Sequence, residues 1–87
     1  MAIVTLRYWA AAKDAAGVSE EKVDASTLAE ALAAGLAAAG DKSGRLSQVL
    51  ARSSFLVNGQ PAGKRLPESI TLDDDAVVEI LPPFAGG

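Results

Sequence analysis

The stretch TLAEALAAGLAAAG, residues 27–40, decides how the rest of the chain must be arranged. Thr27 and Glu30 form a T-x-x-E box, in which the hydroxyl and the carboxylate each accept from a backbone N–H that a first helical turn leaves unpaired. Leu28, Ala31, Leu32, Gly35, Leu36 and Ala39 recur at spacings of three and four, which places them on one face of a helix ending near Gly40. Such a stripe is a core face rather than a cofactor site, and it must be buried against another layer. Gly35 lies on the stripe at a cost of about 1 kcal/mol in helix propensity relative to alanine. Its place there fits a close approach of backbone to a sheet.

The flanking segments supply that sheet. From Ile3 to Trp9, Val4, Leu6 and Tyr8 share one parity while Thr5, Arg7 and Trp9 share the other, the period of a half-buried strand. AAAKDAAG, residues 10–17, reads as a short helix stopped by Gly17, and a brief strand follows around Glu20–Asp24. After the long helix, Leu46, Val49 and Leu50 mark a further short helix, and SFLVNGQP reads as a strand entering an Asn-Gly turn. Residues 61–75 are rich in turn formers. Along the last strand, Ala76–Leu81, Val78 and Ile80 alternate with Val77, Glu79 and Leu81 until Pro82 and Pro83 stop it. One main helix over a mixed sheet is a two-layer α+β domain, expected over residues 1–81, with residues 82–87 as a flexible tail.

Composition removes most independent chemistry. The chain of 87 residues has no cysteine and no histidine, so it offers no thiol nucleophile, imidazole base or zinc site. Asp73-Asp74-Asp75 lacks the further ligands of a calcium loop and reads as a solvated turn; no metal is expected. Eleven acidic against eight basic residues, net −3, argue against nucleic acid as a partner. No apolar run is long enough for a bilayer and MAIVTLRYW lacks a signal peptide's basic start, so a cytoplasmic location is expected. If the inward parity faces the helix, Trp9 and Leu81 emerge on the open face with Phe84 just beyond. Either these three form an exposed apolar patch that marks a partner surface, or Trp9 folds over the sheet edge.

The element order, the helix-start box and the ending Leu81-Pro82-Pro83-Phe84-Ala85-Gly86-Gly87 together resemble a ubiquitin-like β-grasp protein of the ThiS/MoaD sulfur-carrier type, most like the molybdopterin synthase small subunit. A second marker is YWAAAKDAAG, residues 8–17, similar to that branch's aromatic-aromatic-alanine strand end followed by a basic/acidic pair and a glycine. Asp73-Asp74-Asp75 departs from the Asp-Gly-Asp usual in the family.

The resemblance implies that a ubiquitin-activating-like partner uses ATP to adenylate the Gly87 carboxylate, which then becomes a thiocarboxylate. Ala85 and Gly86 would give access to a narrow channel, glycine because it lacks a β-carbon. Pro82 and Pro83 would hold the tail extended. Trp9, Leu81, Pro82, Pro83 and Phe84 would grip a larger molybdopterin synthase subunit, expected in a heterotetramer, where the sulfur reaches a cyclic pyranopterin. The chain would be the non-catalytic, sulfur-donating subunit, binding no cofactor of its own and dependent on a sulfur donor. Other readings keep the same ending: a carrier for thiamine, cysteine or secondary-metabolite synthesis, a ubiquitin-like modifier joined through Gly87 to lysines, or a noncovalent interaction module.

Overall fold

A computed structural model describes residues 2–40 and 44–83. The chain runs β1 (Ile3–Tyr8), α1 (Ala10–Ala16), β2 (Glu20–Asp24), α2 (Leu28–Ala39), α3 (Arg45–Arg52), β3 (Ser54–Val57), β4 (Gln60–Pro61), a 3-10 turn (Pro67–Ser69) and β5 (Val77–Leu81). The strands form one sheet in the order β2-β1-β5-β3-β4. Central β1 and β5 are parallel, and every other pair is antiparallel. A mixed five-stranded sheet covered by one long helix is the ubiquitin-like β-grasp architecture.

The helix that opened the sequence reading forms as its residues dictate. Thr27 Oγ1 accepts from the Glu30 N–H at 3.2 Å, and Glu30 Oε1 accepts from the Ser26 N–H at 2.8 Å. The first helical N–H, that of Leu28, donates to the Ile70 carbonyl at 2.9 Å. Leu28, Ala31 and Gly35 are buried, and Gly40 closes the helix in the left-handed conformation. The alternation of β1 and β5 also holds: Val4, Leu6, Tyr8, Val78 and Ile80 are buried against the helices. Full burial of side chains such as Val78 and Ile80 stabilises by about 1.5–3 kcal/mol each, so the last strand is firmly seated.

Asn58 and Gly59, both with positive φ, make the hairpin turn between β3 and β4. Asn58 also pins the start of β5: its Oδ1 accepts from the Val77 N–H and its own N–H donates to the Val77 carbonyl, both at 2.9 Å. The turn-rich stretch after β4 contains the 3-10 turn and an isolated bridge between Thr71 and Thr27. The Asp73–Asp75 turn is exposed, as expected, yet it has a structural task. Asp74 Oδ1 accepts from the Ile3 N–H at 2.7 Å, and the Asp75 N–H donates to the Ile3 carbonyl at 2.9 Å. The helical stripe of α2 and the β1–β5 core thus fix the end of β5, which Pro82 and Pro83 follow.

Candidate functional site

The carboxyl end of β5 is held from both sides. Ile80, whose side chain is buried, accepts the Trp9 N–H on its carbonyl at 3.3 Å, and Leu81 pairs with Ser54 of β3. Trp9 therefore stands on one flank of the strand end, and Ser53 with the last turn of α3 stands on the other. Leu81 has the parity opposite to Ile80 and is half-buried on the open face of the sheet.

Trp9 is 49% exposed and lies beside Leu81 and Pro82. It caps α1 in an extended conformation, and the next residue, Ala10, turns the chain with a φ of 49°. That left-handed conformation costs a residue with a β-carbon about 1–2 kcal/mol. Trp9, Ala10, Leu81 and Pro82 line a groove of about 310 Å³. On the other side of the indole a second groove of about 270 Å³ is lined by Arg7, Lys13, Ser19 and Glu20. Arg7 Nε donates to Glu20 Oε2 at 2.8 Å across the β1–β2 pair, and Glu79 stands opposite Arg7 on β5.

The structure thus brings together Trp9, Leu81 and Pro82 from the expected patch, with Pro83 exposed immediately after them. Phe84, Ala85, Gly86 and Gly87 lie outside the described residues. Sequence reading missed the neighbours contributed by β3. Ser54 sits beside Leu81, and half-buried Leu56 sits beside Glu79 on the same open face. Only the long-range pairing of β3 with β5 makes them part of the site.

Among the described residues no group of histidine, cysteine, aspartate or glutamate is arranged to hold a metal ion, and no helix is long and apolar enough to cross a membrane. A perturbed titratable group lies on the opposite face: Tyr8, under α2, has its phenol held above the usual value, first by burial and then by the Glu21 carboxylate. The chain has no thiol or imidazole, and the end of β5 sets Pro82 beside the apolar side chains of Trp9 and Leu81.

The ThiS family model matches residues 6–87. No curated protein sequence matches the chain. The fold is similar to that of SAMP1 from Haloferax volcanii, with a TM-score of 0.79, 21% identity, and coverage of 98% of this chain and 99% of that one. It is similar to a putative molybdopterin converting factor subunit 1 from Pyrococcus furiosus, with a TM-score of 0.75, 19% identity, and coverage of 97% and 100%. A complex of subunits 1 and 2 of the molybdopterin-converting factor from Helicobacter pylori also contains this fold, at a TM-score of 0.63, 22% identity, and coverage of 98% and 99%.

Proposed function

The chain belongs to the ThiS family, and from that membership we propose that it is a sulfur carrier working through the carboxylate of Gly87. In the first step a carboxylate oxygen attacks the α-phosphorus of ATP held by a partner enzyme, and pyrophosphate leaves. In the second, sulfide-level sulfur from a donor attacks the acyl carbon, and AMP leaves with one of the former carboxylate oxygens. The terminus gains sulfur in exchange for oxygen. ATP belongs to the partner, and this chain supplies the acyl group and the surface by which it is held.

The observation that carries this reading is the family match extending through Gly87, joined to a strand end set between Trp9 and Ser54. Residues 82–87 are the tail in this proposal. Pro82 and Pro83 restrict the backbone and lower the cost of ordering it in a channel. Gly86 and Gly87 carry no β-carbon to obstruct entry.

Within the carrier class we assign the chain to molybdopterin synthesis, as the small subunit that delivers sulfur to a cyclic pyranopterin inside a larger subunit. The likeness to molybdopterin converting factor subunit 1, and to that subunit in complex with subunit 2, supports this assignment and a large-subunit partner. The likeness to SAMP1 favours a second reading, in which Gly87 is joined to lysines of other proteins as a modifier.

Intact mass after incubation with ATP, a sulfur donor and candidate adenylating enzymes of the same organism separates the readings. The carrier gains one oxygen-to-sulfur exchange at Gly87, dependent on ATP. Covalent adducts on other proteins indicate the modifier. An unchanged mass with every candidate overturns both.

A further inference from the structure

All 11 acidic residues lie outside residues 44–67, whereas Arg45, Arg52, Lys64 and Arg65 lie inside that segment. A chain of net charge −3 therefore carries one stretch that is purely basic. In the fold this stretch forms α3, which packs against α1, and the β3–β4 hairpin with the loop beyond it at the β4 edge of the sheet, where Glu79 opposite Leu56 and Glu68 after Pro67 are the adjoining carboxylates. Arg45 and Arg52, seven residues apart on α3, line one groove of about 350 Å³ together with Val49. Lys64 and Arg65 line a second, of about 450 Å³, with Phe55, Leu56 and Leu66.

These grooves adjoin the tail exit. Arg52 ends α3, Ser53 lines the second groove, and Ser54 pairs with Leu81. The chain leaving β5 through Pro82 thus has the apolar Trp9 groove on one flank and the basic side on the other. Arg65 is preset, its Nε donating to the Ala62 carbonyl at 3.1 Å and an Nη to the Pro61 carbonyl at 3.3 Å. The exposed side chains of Arg52 and Lys64 make no ion pair among the described residues. Leu66, beside Arg65, is 63% exposed.

We propose that this basic side is a docking face for a carboxylate-rich surface on the enzyme that adenylates the tail. The proposal rests on the carrier reading and adds the chemistry of its partner. Two features favour an acidic protein surface over nucleic acid. The cations are interleaved with Val49, Leu56 and Leu66, the mixture of apolar and polar groups found at protein interfaces. A long polyanion, moreover, would meet the ten or more carboxylates on the rest of the molecule, whereas a local acidic patch meets the cations within about one Debye length, roughly 8–10 Å. Exposed charges of this kind act chiefly on the association rate, and salt weakens them.

The test is ATP–pyrophosphate exchange by the candidate adenylating enzymes, with the 87-residue chain as the varied substrate. The double variant Arg52→Glu/Lys64→Glu is expected to raise KM for the chain about tenfold while kcat stays within about twofold, as loss of electrostatic steering requires. The wild-type KM should rise with NaCl between about 50 and 300 mM, and the variant's should respond less. Arg52→Lys/Lys64→Arg, which keeps both charges, should behave as wild type. Thermal unfolding of each variant reports whether the fold is intact. An unchanged KM in a folded double variant overturns the docking face, as does a loss confined to kcat. Absence of exchange with the wild-type chain overturns the carrier reading, and this proposal with it.

Discussion

A β-carbon added at Gly35 would stand 2.5 Å from the hydroxyl oxygen of Tyr8, so the space a side chain on α2 would need there is filled by the tip of a β1 side chain. The same β-carbon would lie 2.7 Å from Leu6 Cδ1, which is fully buried. Gly35→Ala therefore sets a gain of up to about 1 kcal/mol in helix propensity against about 1–3 kcal/mol of overpacking. A net loss of about 1 kcal/mol is expected, read as a fall of roughly 4–8 °C in Tm for a domain of this size. A rise in Tm would show that Tyr8 swings away freely.

The packing around Tyr8 also sets an alkaline limit. Burial, and secondarily Glu21, holds the phenol above its ordinary value, so the folded state keeps its proton to higher pH than the unfolded state does. Its contribution is intact below about pH 10, where an unfolded phenol is still protonated, and is lost as pH rises through the higher folded value. Urea unfolding between about pH 8.5 and 11.5 should show wild type losing stability relative to Tyr8→Phe across the upper part of that range. Parallel curves for the two proteins would contradict this.

Trp9 is half exposed beside the end of β5, so Trp9→Glu should change stability by no more than about 0.5 kcal/mol. Under the proposed function, binding to the larger subunit should weaken by at least about tenfold, since large aromatic anchors carry a disproportionate share of interface energy. Titration calorimetry and thermal unfolding on the same variant check both halves. A collapsed fold would show that the indole supports the core.

Asp74 ties the turn before β5 to the start of β1 through its 2.7 Å contact with the Ile3 N–H. Asp74→Ala should cost about 1 kcal/mol, the usual worth of one such bond, measured by denaturant unfolding. Asp74→Asn, whose amide oxygen still accepts, should cost clearly less.

The legible parts of this chain are those whose signals are local. The α2 stripe and its Thr27–Glu30 cap, the alternation of β1 and β5, and the Asn58-Gly59 turn all announce themselves within a few residues and all stand in the structure. The placement of Trp9 was legible only in part: its parity with Thr5 and Arg7 pointed to the open face, but its neighbours Leu81 and Pro82 come from the far end of the chain. Ser54 and Leu56 were invisible as site neighbours for a similar reason. They join the end of β5 only through pairing with a strand more than twenty residues later in the chain. Asp74 read as mere solvated charge because its partner, Ile3, lies 71 residues away.

The place of β5 in the sheet has a kinetic consequence. The last strand to be synthesised is the middle one, parallel to β1 and antiparallel to β3, so neither neighbour can complete its hydrogen bonding until it arrives. Loop closure over most of the chain must precede the central contacts, which makes folding slow for so small a domain. It also makes folding and assembly of the groove at the end of β5 a single event. A nascent or truncated chain lacking β5 has no sheet centre, and only a chain that has zipped β5 into place sets Leu81 and Pro82 beside Trp9, so any partner that reads this groove reads a completed fold.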